Sequence, residues 1–525
     1  MVRGPGSAIY GADAFTGVIS LNTYEPKRNE GEFLVSTNSK GTNEFSVRTS
    51  HDIDTNQRIS ANFSVSGQDS QDLLYQSRQL VGIQRRDESW QAGTGLLKWS
   101  SKSTNQDRRY SFTFLSHQWE IDEAPGFAAA MGPFLGAQTD NLFADTRFNF
   151  YKASFEEHLS RQRLLETNIF YWSSHWGYQM DAAPPTDQQI IGRRDTRTGI
   201  QFRLKQPEMT SNRTRWVFGL DIDRLAVNQT YVGFRSTGTS PDNFEGLRNT
   251  IKGVFYQGKS RIGSDNLFVH YGLRYDQYPG FGAHATPRLG FVFRPDVQTS
   301  LKAVYGNAFR PPSAGEVQGF LGGTTGDPMI NPEEIDTFEL IYMKKSGSSK
   351  LNLTYFENRW TDGIQIQGGA PRRFQNFEKN SSSGLEMSYR KKVGLDWVID
   401  LSVSRISGVN ESTDQEYGAY PRYSFNIQTR RESIKSPWTY WFGARILKNW
   451  KDSTGSTSPF AVVDELPSYI RFDLGLNYQV SHRVQSYFWV RNLFDRDLKV
   501  PSLLDSEIGV PEQGRAVGVG IRISF

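Results

Sequence analysis

The chain has 525 residues, 37% of them hydrophobic and 13% aromatic, with no cysteine and a formal charge of +4. The missing cysteine excludes a disulfide framework, thiol catalysis and cysteine-built zinc clusters; 60 Lys and Arg against 56 Asp and Glu is too even for a chain organised around nucleic acid. No run of about 18 apolar residues exists, which excludes a transmembrane helix but not barrel strands, whose alternation scores as polar.

Residues 1–30 come first and fit no regular period. Arg3-Gly4-Pro5-Gly6-Ser7-Ala8-Ile9-Tyr10-Gly11 is a Gly-rich turn followed by small residues, and Gly17-Val18-Ile19-Ser20-Leu21 is a short apolar run. The segment reads as the end of a small domain that leads through Glu25-Pro26-Lys27-Arg28 into the rest. Its start, Met1-Val2-Arg3-Gly4-Pro5-Gly6, has no apolar stretch of the kind a signal peptide carries.

Beyond residue 30 the dominant period is two. Leu267, Val269, Tyr271, Leu273 and Tyr275 alternate with Phe268, His270, Gly272 and Arg274. Ile470, Phe472, Leu474, Leu476 and Tyr478 alternate with Arg471, Asp473, Gly475 and Asn477. The chain ends with Val517, Val519, Ile521, Ile523 and Phe525 against Ala516, Gly518, Gly520, Arg522 and Ser524. Successive side chains cross a strand, so each segment has one apolar and one polar face.

Short turns, from 52–57 to 480–483, alternate with longer polar loops near 67–89, 119–143, 175–196, 227–248, 308–332, 360–380, 448–467 and 494–513. Joined by strands of about 9–12 residues, they predict an all-β, antiparallel transmembrane barrel of about 22 strands over residues 31–525. The physics agrees: in hydrocarbon every backbone N–H and C=O must be paired internally, and a closed barrel has no unpaired edge.

Five segments add a resemblance. Val2 to Leu21, Tyr305 to Val317 with Asn331 to Tyr342, Ser383 to Tyr389, Val490 to Asp497 and the ending Gly514 to Phe525 resemble, in order, signatures of the TonB-dependent outer-membrane receptors. The resemblance covers essentially the whole chain. It implies a 22-stranded barrel around a plug, with residues 1–30 as the C-terminal remnant of the plug domain and residues 31–525 as the barrel. It further implies binding of a scarce nutrient at the cell surface, a ferric siderophore first, and its import to the periplasm. The implied partners are a TonB-type energy-coupling complex, the outer-membrane assembly machinery, membrane lipid and a small-molecule ligand such as an iron chelate. The family's signal peptide, coupling motif and most of its plug have no counterpart here, so the sequence reads as N-terminally truncated.

Glu339, between Phe338 and Leu340, and Glu386, between Leu385 and Met387, are expected on the lumen face. The resemblance implies that Arg3 joins them in a plug–barrel lock, a guanidinium fork being well suited to two carboxylates. It also implies that Phe525 closes the last strand as an assembly signal. Phe127, Trp176, Tyr178, Tyr231, Phe234, Phe281, Phe320 and Trp360 are expected in loops as ligand contacts, because aromatic faces grip rings and stack with cations. Glu120, Asp122 and Glu123 form an acidic group without the donor spacing of a calcium loop. The seven histidines are scattered, none lies between Phe309 and Glu334, and no catalytic or metal-binding motif occurs, so neither enzyme activity nor a cofactor is expected. Two other readings fit the same text: a plugless passive pore, and a secreted all-β carbohydrate-active enzyme, which would stay soluble without detergent.

Overall fold

The computed structural model describes residues 2–3, 17–18, 29–76, 83–103, 107–122, 142–160, 163–182, 187–206, 214–263, 265–320, 324–367, 372–416, 420–432, 436–452, 464–501 and 509–525. Among these, 22 long strands form one closed antiparallel barrel. In chain order the first are β1 Gly31–Asn38, β2 Thr42–Asp52, β3 Gln57–Gln76, β4 Ile83–Lys102, β5 Arg108–Asp122, β6 Leu142–Ser160 and β7 Arg163–Ala182. Next come β8 Asp187–Gln206, β9 Thr214–Phe234, β10 Arg248–Arg261, β11 Leu267–Tyr278, β12 Gly282–Phe293, β13 Thr299–Arg310 and β14 Glu333–Ser346. The last are β15 Ser349–Gln367, β16 Arg372–Val393, β17 Trp397–Asn410, β18 Tyr423–Arg431, β19 Trp438–Lys448, β20 Tyr469–Gln479, β21 Val484–Arg491 and β22 Ala516–Ser524.

Each strand pairs with its sequence neighbour, and β1 closes the ring on β22 from Glu32↔Ser524 to Asn38↔Gly518. Between β13 and β14 the chain forms a short helix, α1 (Ala314–Gln318), and a two-residue pairing of Gly319–Phe320 with Thr324–Thr325. Val2–Arg3 pairs with Gly17–Val18 in a separate two-stranded sheet. Among the described residues no helix is long and apolar enough to cross a membrane.

The alternation read from the sequence sets the two faces. Leu273, Tyr275, Leu289, Phe291, Leu340 and Leu385 point outward and are exposed, Leu385 by 59%. Such a band loses no free energy in lipid. Residues paired directly in an antiparallel ladder share a face, so this outward set fixes the lumen set on neighbouring strands. Aromatic rings close many gaps between strands by lying over a directly opposed glycine. Phe255 covers Gly219, Trp441 covers Gly475 and Trp489 covers Gly518, each within 2.5 Å of where a Cβ would stand.

The strands are longer than a bilayer requires, and this corrects the expected loops. The segments 67–89, 175–196 and 227–248 are in large part strand, since β3 continues to Gln76, β7 to Ala182 and β9 to Phe234. Above the hydrocarbon the outward face no longer needs apolar residues, so the period of two fades while the backbone ladder continues. The short–long rhythm is also not strict, because the connections at 39–41 and 279–281 are tight turns at the rim of long loops. Gly280 (φ 95°) and Gly282 (φ 82°) supply the left-handed backbone that the second of these needs.

Candidate ligand-binding vestibule

The rim carrying the tight turns at 53–56, 294–298 and 347–348 corresponds to the periplasmic end of such barrels, and the other rim to the cell surface. At the surface end, β7, β8 and β9 extend past the membrane and bring an aromatic and cationic group onto the inner wall. Trp176 pairs with Arg193 across the β7–β8 ladder. Arg193 shares its face with Arg197 and Arg203, opposite the outward Phe202. The Trp176 and Tyr178 rings stack at 5.7 Å and 16°. The Arg193 guanidinium lies 5.9 Å from the Trp176 ring and 5.8 Å from that of Phe244, and Asp195 orients it at 2.7 Å.

The connection after β9 folds back to form part of this wall. Phe244 is buried, and the Thr230 N–H and hydroxyl donate to the Glu245 carboxylate at 2.7 and 3.2 Å. Tyr178 stands on the extension beyond the hydrocarbon, where burial pushes its hydroxyl up to about 12, so it stays a neutral hydrogen-bond donor. A flat aromatic ligand can stack here while any negative charge it carries faces Arg193.

A second group of residues lies at the surface ends of β11 to β16. Tyr278 packs against Phe281 at 6.0 Å and edge-on to Phe309 at 5.6 Å, and His284 stacks on Phe309 at 4.8 Å. Residues 311–320 and 324–332 are tied to this group by charge. Arg310 bonds Glu333 at 2.5 Å and Glu316 at 3.0 Å, while Glu316 and Ser313 form a capping box at the start of α1. The second Glu333 oxygen accepts the Ile364 N–H at 2.8 Å, and Asn331 N–H donates to Asn376 at 2.7 Å.

Below the vestibule an ionic belt lines the lumen. Arg274 spans Asp221 and Asp276, both at 2.7 Å; Arg203 reaches the other Asp221 oxygen at 2.5 Å, and Arg197 reaches Asp223 at 2.7 Å. Phe255, 2% exposed, lies under Arg203 and Arg274 at 4.7 and 5.5 Å. Gly253 makes room, since a Cβ there would stand 2.2 Å from an Arg274 nitrogen.

Of the residues singled out in the sequence, Trp176, Tyr178, Phe234 and Trp360 lie on strands rather than in loops. Trp176, Tyr178 and Trp360 face inward, Trp360 directly opposite the buried Ile335, and Phe281 sits in a tight turn. Tyr231 is on the outer face. It pairs with Gly192, its hydroxyl is 3.5 Å from the His175 ring, and His175 is 3.6 Å from Asp145. Phe127 and Glu123 fall outside the described residues, and Arg3 and Phe320 are described in their backbone alone. Glu120 and Asp122 end β5 instead of belonging to a loop, and Glu120 accepts from Gln91 and Gln118.

Glu339 and Glu386 are on the inner face, two strands apart and offset by two residues through Ile341↔Thr354↔Glu386. Phe525 lies against the barrel seam: its N–H donates to Gly31 at 2.9 Å, the Gly31 N–H donates back at 2.8 Å, and its ring covers Gly31. Arg193 and Phe244 were not visible as site residues, because the polar text around them reads as loop.

The family described as TonB dependent receptor-like, beta-barrel, matches residues 10–493. The chain belongs to the TonB-dependent receptors. This family comprises outer-membrane receptors and transporters rather than enzymes, binds small molecules, and interacts with TonB. The iron-regulated outer membrane virulence protein of Vibrio cholerae is 22% identical, over 100% of this chain and 79% of its own length. The vitamin B12 transporter BtuB of Vibrio vulnificus is 21% identical, over 95% and 74%. The ferric enterobactin receptor PfeA from Pseudomonas aeruginosa, solved in complex with enterobactin, superposes with a TM-score of 0.82 at 15% identity, over 100% of this chain and 85% of that one. The siderophore receptor PirA from Acinetobacter baumannii gives 0.81 at 16%, over 100% and 84%. This TonB-dependent receptor is thus an integral barrel of the outer membrane.

Proposed function

We propose that this receptor takes up a ferric siderophore, with a chelate bearing aromatic iron-binding rings as the first choice. The observation that carries the reading is the inward stack of Trp176 and Tyr178 beside Arg193 at the surface mouth. Rings of the chelate would lie against the indole while the charge of the complex faces the guanidinium. Iron is cargo here, bound by the chelator. Relatives named for iron regulation and for ferric enterobactin support the choice, and the vitamin B12 transporter marks the main competitor.

In the same reading residues 1–30 are the closing segment of a plug and residues 31–525 the barrel. Arg3 meets Glu339 and Glu386 to hold that segment against the wall, and Phe525 serves as the signal for outer-membrane assembly. The remaining aromatics, Phe127, Tyr231, Phe234, Phe281, Phe320 and Trp360, are secondary contacts, Tyr231 the weakest because it faces outward. Uptake of radio-iron delivered as a catecholate chelate, by cells whose other receptors are deleted, tests the reading. Expression of this receptor should restore uptake, and Trp176→Ala with Arg193→Gln should lower it at least tenfold. Restored cobalamin uptake with no response to iron chelates would overturn it.

A further inference from the structure

Below the ionic belt, the charges on the lumen wall stop cancelling. One register line runs Arg215, Lys259, His270, Gly290, Val304, Glu339 across β9 to β14, each residue directly opposite the next. Arg288 and Lys302 stand on the lines to either side, opposite Gly272 and Val292. Gly290 forms an open floor, because a Cβ there would meet nothing closer than 3.6 Å. Around it lies a cavity of about 300 Å³ whose lining includes Lys259, His270, Arg288, Arg294 and Lys302, together with the single carboxylate of Glu339.

The periplasmic edge is Phe268, 7% exposed, with Lys259 at 4.7 Å, Arg294 at 5.2 Å and Arg261 at 5.9 Å from its ring. Arg261 is paired to Asp265 at 2.8 Å. Among the described residues no carboxylate forms an ion pair with Arg215, Lys259, Arg288, Arg294 or Lys302.

The contrast with the belt above carries the argument. There, on β8, β9 and β11, each of Arg197, Arg203 and Arg274 has its aspartate. Here Lys259, Arg288, Arg294 and Lys302 outnumber the one lining carboxylate, Glu339, on a concave, glycine-floored surface. Like charges gathered in a low-dielectric hollow repel, and an anion seated among them reverses the sign of that energy. We propose that this hollow is a binding site for a small, multiply charged anion bearing carboxylate or phosphate groups. An anion moving through the lumen would leave the neutral belt and meet this site before the periplasmic mouth. The site is separate from the vestibule and stands whether or not the vestibule takes an iron chelate.

Titration calorimetry of the full chain in detergent, with inorganic pyrophosphate as probe, tests it. One saturable site is expected, weakening as salt is raised. Lys302→Gln and Arg288→Gln, each alone, should reduce affinity about tenfold or more, whereas Lys252→Gln, on the outward face of β10, should leave it unchanged. Gly290→Leu fills the floor without changing any charge and should abolish binding, with an unaltered strand signal in circular dichroism showing that each variant is folded. Absence of saturable binding, equal loss in Lys252→Gln, or full binding by the folded Gly290→Leu variant would overturn the proposal.

Discussion

Phe525 shows how a single residue can serve closure. Its backbone makes two hydrogen bonds to Gly31, and its ring occupies the space that any side chain at position 31 would need, with a Cβ falling 2.1 Å from the ring. Gly31→Val should displace the ring and loosen the seam, at a cost of about 1–3 kcal/mol, read as a lower thermal midpoint in detergent. At the opposite end of one strand connection, Asp296 caps the periplasmic turn between β12 and β13. Its carboxylate accepts the Gln298 and Thr299 N–H groups at 2.6 and 2.7 Å, and these bonds hold its pKa below the ordinary aspartate value. The sign follows from the direction: the carboxylate's contribution is complete above the unfolded value of about 4 and is lost as pH falls through the depressed one. Hydrogen exchange at Gln298 and Thr299 should therefore accelerate only in acid, and Asp296→Asn should flatten that dependence.

Strands are where the sequence was most and least legible. Leu267 to Tyr275 announced its two faces, because burial against lipid on one side and an aqueous lumen on the other forces strict alternation. Trp176 and Tyr178 were visible as candidates, but they were assigned to a loop, since β7 above the membrane has water on both sides and no pattern to enforce. Arg193 and Phe244 went unnoticed for the same reason, and their convergence depends on a register that a lone sequence does not print. The ionic belt was equally hidden: Arg274, Asp221 and Asp276 lie on two strands separated by β10, and only the ladder brings them together. Arg274 is 4% exposed, so Arg274→Met would leave the buried Asp276 carboxylate without a cation and Asp221 with Arg203 alone. The cost is expected to be about 3–5 kcal/mol. Chemical denaturation in detergent should resolve it, and the double variant with Asp276→Leu should recover part of the loss.

At the scale of the whole molecule, composition and fold explain one another. Lipid-facing aliphatics, rings laid over cross-strand glycines and a charged lumen together give the 13% aromatic content, the 48 glycines and the polar average. Closure of β1 on β22 leaves the barrel without a free edge, which is what allows so polar a chain to cross hydrocarbon. Along the axis the inner wall, in the described residues, changes from aromatic and cationic at the surface, through paired ions, to an excess of cations near the periplasm. The central claim is that the upper zone recognises a ferric chelate. Equilibrium dialysis of the purified receptor against a radio-iron catecholate, with cobalamin as competitor, tests it most directly. The account predicts saturable binding that cobalamin does not displace and that Trp176→Ala weakens at least tenfold, or about 1.4 kcal/mol. Binding unaffected by Trp176→Ala and Arg193→Gln together, or displaced by cobalamin, would contradict it.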